Sequence, residues 1–285
     1  MATPTLTPYQ GRQVAFLTQH GKQNLVLAPL EAALGCQLVH TDGYDTDQLG
    51  TFTRDVARFG SQIDAARRKA KIGMDLTGAR VGMGSEGAFG PDPFAGFIPW
   101  NTEILLWVDQ DQGFEVTGFA HGPSQSLHGA VKTRDELTCF AAEAGFPEHH
   151  LTLRPGREDH PGILKGIHDL PSLVQAFNLC LAESKNGTVF VENDLRAFCN
   201  PSRQDIIRKA ADDLISKLLS ACPKCASPGY SVTKKIPGMP CKLCAHLTNL
   251  PIGEIWSCDV CGGQDHKILN VGMFADPGRC DLCNP

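Results

Sequence analysis

The chain reads as an α/β protein that carries a small metal-held module at its C-terminal end. Three observations predict this. Short apolar, strand-like runs alternate with stretches of helical period over the first 221 residues. Those residues hold only four scattered cysteines, Cys36, Cys139, Cys180 and Cys199. Residues 222–285 then hold eight, in four Cys-x-x-Cys pairs. The 42% hydrophobic and 20% charged content is that of an ordinary soluble globular protein. A net charge of -5 gives no global attraction to nucleic acid or to an anionic membrane. No apolar run approaches the ~20 residues needed to span a bilayer. Met1 to Gln13 lacks the basic region and apolar core of a secretory signal, so residues 1–12 read as a disordered lead-in and a cytoplasmic location is expected. In that reducing compartment twelve cysteines are better explained by metal than by disulfides.

Taken in order, Val14-Ala15-Phe16-Leu17 suits a buried strand. Residues 23–34 suit a helix that Pro29 should kink or shorten. Gln37-Leu38-Val39 is a second short strand. After a loop rich in Asp, Gly and Thr, residues 61–77 place Ile63, Ala66, Ala70 and Met74 on one helical stripe. Arg80 to Gly84 leads into a Gly-rich turn, Gly82-Met83-Gly84-Ser85-Glu86-Gly87-Ala88-Phe89-Gly90. The runs 103–108 and 114–119 flank Asp109-Gln110-Asp111-Gln112-Gly113, a hairpin signal. A second α/β stretch follows, with helices at 133–144 and 170–183 and strands at 151–153 and 188–191. Asn200-Pro201 then caps and opens a long helix with Ile206, Ile207, Ala210, Leu214 and Leu218 on one face.

The four cysteine pairs are Cys222/Cys225, Cys241/Cys244, Cys258/Cys261 and Cys280/Cys283, separated by 15, 13 and 18 residues. Two residues between cysteines let one tight turn aim both sulfurs at a single tetrahedral ion, so the spacing predicts two structural zinc ions. Consecutive pairing is the simplest and favoured assignment; an interleaved arrangement is the lesser alternative, since spacing alone does not settle the connectivity. The pairs look like zinc ribbons, either structural or positioning a partner. Nucleic-acid binding is the sharper alternative, supported by Lys224, Lys234, Lys235 and Lys242 with Tyr230 and Trp256 as stacking surfaces, and diluted by Asp259, Asp265, Asp276 and Asp281. His246 and His266 are spare ligands that two tetrahedral sites of eight cysteines do not require.

The most functional-looking segment runs from Thr18 to Glu86. Thr18-Gln19-His20-Gly21-Lys22 lies between the first strand and a helix, where a hydroxyl, a glycine and a lysine suit phosphate. It is not a Walker loop. Arg67-Arg68-Lys69 and Lys71 form a basic cluster that could equally be a solvated helix face. Glu86 among glycines is the single carboxylate a magnesium–phosphate site would use. Further on, Arg154 and Lys165 bracket a short loop-strand, and His149-His150 reads as an exposed turn. Arg196 and Arg203 near the start of the long helix suit either an anion site or helix capping with pairing to Asp194 or Asp205.

The order strand, T-x-H-G-K, helix, then A-x-x-K-A at Ala66 to Ala70, strand and G-S-E-G resembles the inosine/xanthosine triphosphatase superfamily over roughly residues 13–120. That resemblance implies a mixed-sheet, nucleotide-phosphohydrolase-like domain over 13–130. An α/β extension over 131–221 and a double zinc ribbon over 222–285 complete the chain. It also implies magnesium-dependent hydrolysis of a nucleotide or nucleotide-like phosphate, with Lys22 neutralising phosphate charge, Glu86 holding magnesium and Asp47 (or Asp45) completing the metal site or orienting water. Thr18, His20, Gly21, Lys22, Ser85, Gly87, Arg68 and Lys69 would contact the nucleotide or phosphorylated small molecule. His20 stands where that superfamily usually has Asn, the loop is one residue shorter, and Ala65 replaces a polar residue. The whole chain, with its cysteine pairs, also resembles an uncharacterised bacterial family. A non-enzymatic nucleic-acid- or protein-binding module is the alternative function.

Overall fold

The apolar run at Val14–Leu17 forms β1 (Gln13–Leu17), buried at every position after Gln13. Its composition follows from its place. In the computed structural model, which describes residues 7–50 and 60–285, β1 lies between two parallel neighbours, β2 (Gln37–Thr41) and β3 (Val81–Pro91). A central parallel strand is covered on both faces and so reads as a continuous apolar run. β4 (Pro99–Asp109) and β5 (Phe114–Pro123) extend the sheet antiparallel, giving the order β2-β1-β3-β4-β5. Helix α1 (Gln23–Leu34) joins β1 to β2; Pro29 lies inside it and does not shorten it. Helix α2 (Gln62–Thr77) starts with a reciprocal cap. The Asp64 N–H donates to Ser61 Oγ at 3.2 Å and the Ser61 N–H to the Asp64 carboxylate at 3.1 Å. It buries Ala66, Ala70 and Met74, whereas Ile63 is exposed.

The expected Gly-rich turn is not a turn. Gly82 to Gly90 is the body of β3. Glycine is needed there because α2 lies directly on the strand. A Cβ at Gly84 would stand 1.8 Å from the Ala66 carbonyl oxygen, and one at Gly82 2.7 Å from that of Ala70. On the other face, Gly87 leaves room for Glu103, whose Oε1 would lie 2.2 Å from a Cβ.

A second, wholly antiparallel sheet has the order β6-β9-β7-β8, from β6 (His128–Val131), β7 (Leu151–Pro155), β8 (Leu164–Ile167) and β9 (Val189–Asn193). Helices α3 (Arg134–Glu143) and α4 (Leu170–Glu183) cover it. Leu137, Leu173, Phe177, Leu151, Leu153 and Val191 share one buried cluster, each side chain contributing about 1.5–3 kcal/mol by removal from water. Helix α5 (Pro201–Leu219) is capped by Asn200, whose Oδ1 accepts the Arg203 N–H at 3.0 Å. It packs onto β5 where Gly118 has no Cβ to meet Leu214 and the Ala210 carbonyl. Of the stretch 1–12, residues 7–12 are described and are not a loose lead-in. Tyr9 is fully buried edge-on to Trp107, and Arg12 pairs with Asp109.

The chain divides into two units, Met1–Ile215 and Ser216–Pro285. The second contains a three-stranded antiparallel sheet, β10 (Ser231–Pro237), β11 (Pro251–Ser257) and β12 (Gln264–Ile268), and all eight paired cysteines. Among the described residues, no helix is long and apolar enough to cross a membrane.

Candidate functional site

β1 ends at Leu17, while its neighbour β3, paired with β4, runs on past it. The register stops at Phe16 opposite Met83, so Ser85, Glu86 and Gly87 lie beyond the carboxyl end of β1, where they line a pocket. The chain leaves β1 for β2 on one side and returns to β3 on the other. In open α/β sheets such a reversal point leaves a crevice that receives ligands. The pocket opens here, between the end of the first sheet and the carboxyl end of β9 in the second, within the first unit.

The pocket collects most of the residues singled out in sequence. Thr18, His20, Lys22, Asp47, Lys69, Ser85, Glu86 and Gly87 all line it. Gly21 occupies the turn beside them with φ of 74°, a left-handed conformation that glycine adopts without strain. Arg68 is exposed on α2 and does not line the pocket, and Arg67 is drawn away to Glu115 at 2.8 Å. Asp45 caps the turn Thr46–Leu49 by accepting the Asp47 N–H at 3.1 Å, which leaves Asp47 to face inward.

At the base of the pocket lies a buried ionic array that local motifs did not reveal. Lys22 Nζ donates to Ser85 Oγ at 2.8 Å and to Glu103 Oε2 at 3.2 Å. Glu103 Oε1 accepts from Arg203 Nε at 2.7 Å and from Asn101 Nδ2 at 3.1 Å. The three charged side chains are 8%, 0% and 2% exposed. Burial by itself raises the Glu103 carboxyl, but the charges of Arg203 and Lys22 and the hydrogen bonds overrule it and bring it down to about 2. Burial lowers Lys22 to about 8, opposed by the Glu103 charge, so at neutral pH it remains largely an ammonium ion. Arg203 thus pairs with neither Asp194 nor Asp205; Arg196 does pair with Asp194, with Nε 2.9 Å from Oδ1. A glutamate inside the apolar run 103–108 was the one available signal for Glu103; Lys165, Arg196 and Arg203, each singled out in sequence, also line the pocket, whereas Glu192 carried no signal.

Glu86 Oε2 lies 2.5 Å from Lys69 Nζ. Among the described residues, no group of three carboxylate or imidazole ligand atoms converges around it. Glu86 can therefore offer magnesium one carboxylate, which suits that ion only where phosphate oxygens and water fill the remaining positions. His149-His150 is half-buried, not an exposed turn. His149 Nε2 lies 3.1 Å from Ser202 Oγ, tying the loop to α5.

In the second unit the cysteines form two four-sulfur sites, Cys222/Cys225/Cys258/Cys261 and Cys241/Cys244/Cys280/Cys283. The first pair joins the third and the second joins the fourth, so consecutive pairing is overturned in favour of the interleaved arrangement. Sulfurs lie 3.7 and 3.6 Å apart in the first site and 3.9 and 3.6 Å apart in the second. Four sulfurs each ~2.3 Å from zinc would be about 3.8 Å apart, so both sites fit that ion. Each pair is built the same way. The fourth residue after the first cysteine donates its N–H back to that cysteine's carbonyl, at 2.8 to 3.0 Å from Ala226, Ala245, Gly262 and Asn284. His246 and His266 belong to neither site. Tyr230 is buried, and Lys267 Nζ sits 4.0 Å over the Trp256 ring, so both expected stacking surfaces are used internally.

Residues 69–285, about three quarters of the chain, match a family model described as a domain of unknown function (DUF6671). The match includes Lys69, Ser85, Glu86, Glu103, Arg203 and all eight paired cysteines. No curated protein and no solved structure matches the chain.

Proposed function

The chain belongs to the DUF6671 domain family, and we propose that it binds a nucleotide or other phosphorylated small molecule in the pocket beyond β1 and hydrolyses a phosphate bond there. One observation carries this reading. An ammonium group has three N–H donors; Lys22 spends one on Ser85 and one on Glu103, which leaves a donor for a ligand in the pocket it lines at the reversal point of the sheet. A cation preorganised in a site shielded from water is worth far more to a developing negative charge than the same cation in solution.

Lys69, Lys165 and Arg196 add positive charge to the walls, and Glu86 supplies the carboxylate. Magnesium bound by Glu86 and the ligand's own phosphates would neutralise charge on the transferred group. The residues of this chain then grip and orient: Lys22 and Lys69 hold phosphate oxygens, and Thr18 and Ser85 offer hydroxyls. The cysteine sites act as structural zinc centres, since a unit with so small a sheet gains its folding free energy largely from metal.

The test is phosphate and pyrophosphate release from a nucleotide panel, including inosine and xanthosine triphosphates, with and without magnesium. Metal-dependent turnover that is lost in a folded Glu86→Gln variant supports the reading. Silence across the panel from zinc-loaded protein rejects it.

A further inference from the structure

We propose, resting on the hydrolytic reading above, that His20 is the general base for the attacking water and that Asp47 is the residue that positions it. His20 Nε2 lies 3.0 Å from Asp47 Oδ1, and both side chains line the pocket. An ionised carboxylate can only accept, so Nε2 carries a proton, and in the neutral imidazole Nδ1 keeps its lone pair. Nδ1 has no hydrogen-bond partner among the described residues. A base held by a carboxylate through its other nitrogen is the arrangement that general-base catalysis uses.

A purely structural tie is the competing explanation, and that tie is already made elsewhere. Gln19 Oε1 accepts both the Thr46 N–H at 3.0 Å and the Thr46 hydroxyl at 3.3 Å, fastening the loop after β1 to the turn Thr46–Leu49. The His20–Asp47 bond is therefore not needed to hold the two segments together. Asp47 is kept below the usual carboxylate range first by its hydrogen bond to His20 and then by the charges of His20, Lys165 and Lys69, against the opposing effect of burial. Among the described residues, the charged groups that line the pocket with the pair are those two lysines, Lys22, Arg196 and Arg203, and the Glu86, Glu192 and Asp194 carboxylates.

In the step itself, the water oxygen bonds to phosphorus and its proton passes to His20 Nδ1. The P–O bond to the leaving group breaks, its electron pair staying on the leaving oxygen. The imidazolium so formed faces the Asp47 carboxylate and returns its proton to solvent.

The test measures kcat and KM against pH for the wild type, His20→Ala and Asp47→Asn, on whichever nucleotide the panel identifies, with and without added imidazole. His20→Ala should lose about 100-fold or more in kcat, with KM nearly unchanged. Its rate should lose the acid limb of the pH profile and recover in part with imidazole. Asp47→Asn should lower kcat less and alter the same limb. A kcat for His20→Ala close to wild type overturns the assignment and leaves the hydrolase reading intact. So does a loss that imidazole does not relieve and that leaves the pH profile unchanged, in protein folded by circular dichroism. Absence of wild-type turnover on the whole panel removes the hydrolase reading and this inference with it.

Discussion

Glu103→Gln tests the buried array most sharply, because it removes one charge and leaves nearly the same shape. The wild-type carboxylate sits 3.2 Å from Lys22 and 2.7 Å from Arg203, with all three side chains buried. At about 1.4 kcal/mol per tenfold change in acidity, a carboxyl held at about 2 rather than 4.5 corresponds to about 3 kcal/mol in favour of the ionised form. Removing one partner from a buried ion pair typically costs about 3–5 kcal/mol, so the two routes agree. This is the cost of breaking the array and not its net worth, since burial opposes Lys22 and lowers it to about 8. Urea unfolding of the zinc-loaded chain should show a lower midpoint at unchanged slope. Thermal unfolding should fall by roughly 6–20 °C for a unit of this size. The folded-state carboxyl lies below its unfolded value of 4.5. Its contribution is therefore complete above pH 4.5 and is lost as the pH falls toward 2, so variant and wild type should converge in acid. A Glu103→Gln variant within about 1 kcal/mol of wild type at pH 7 would refute the argument, because a surface-like substitution costs no more than that.

Three further outcomes follow from the same structure. Interleaved pairing predicts that Cys222→Ser with Cys258→Ser removes one metal ion of two, whereas Cys222→Ser with Cys241→Ser removes both; consecutive pairing predicts the reverse, and metal analysis per chain decides. Gly84→Ala places a methyl 1.8 Å from the Ala66 carbonyl oxygen and should destabilise the first unit by about 1–3 kcal/mol or more in urea, while Gly90→Ala, which meets nothing within 4 Å, should be far milder. Chelation of both zinc ions should abolish the near-ultraviolet circular dichroism of the second unit's aromatic pair Tyr230 and Trp256, whose rings lie 5.5 Å apart beside the first cysteine site.

Much of the pocket was legible because its residues come from two short local motifs, Thr18–Lys22 after a strand and Ser85–Gly87 on another. The array beneath was not, because Arg203 and Glu103 are 100 positions apart and only tertiary structure brings them together. The Gly-rich run misled for a physical reason. Glycine punctuates turns, but in β3 it removes the Cβ atoms that α2 would strike, a need visible only once helix and strand are packed. Cysteine spacing showed that four sulfurs could meet around one ion; it could not show which pairs meet, because a tetrahedral site accepts any two turns that the chain can bring together.

The central claim is that the pocket beyond β1 holds a phosphorylated ligand through Lys22. Its most direct test is calorimetric titration of the wild type and of Lys22→Met with the nucleotide panel and magnesium. The account predicts saturable one-to-one binding of at least one member by the wild type, and loss of that binding in a variant that retains its fold and both zinc ions. Equal binding by the two proteins, or none by the wild type, would contradict it.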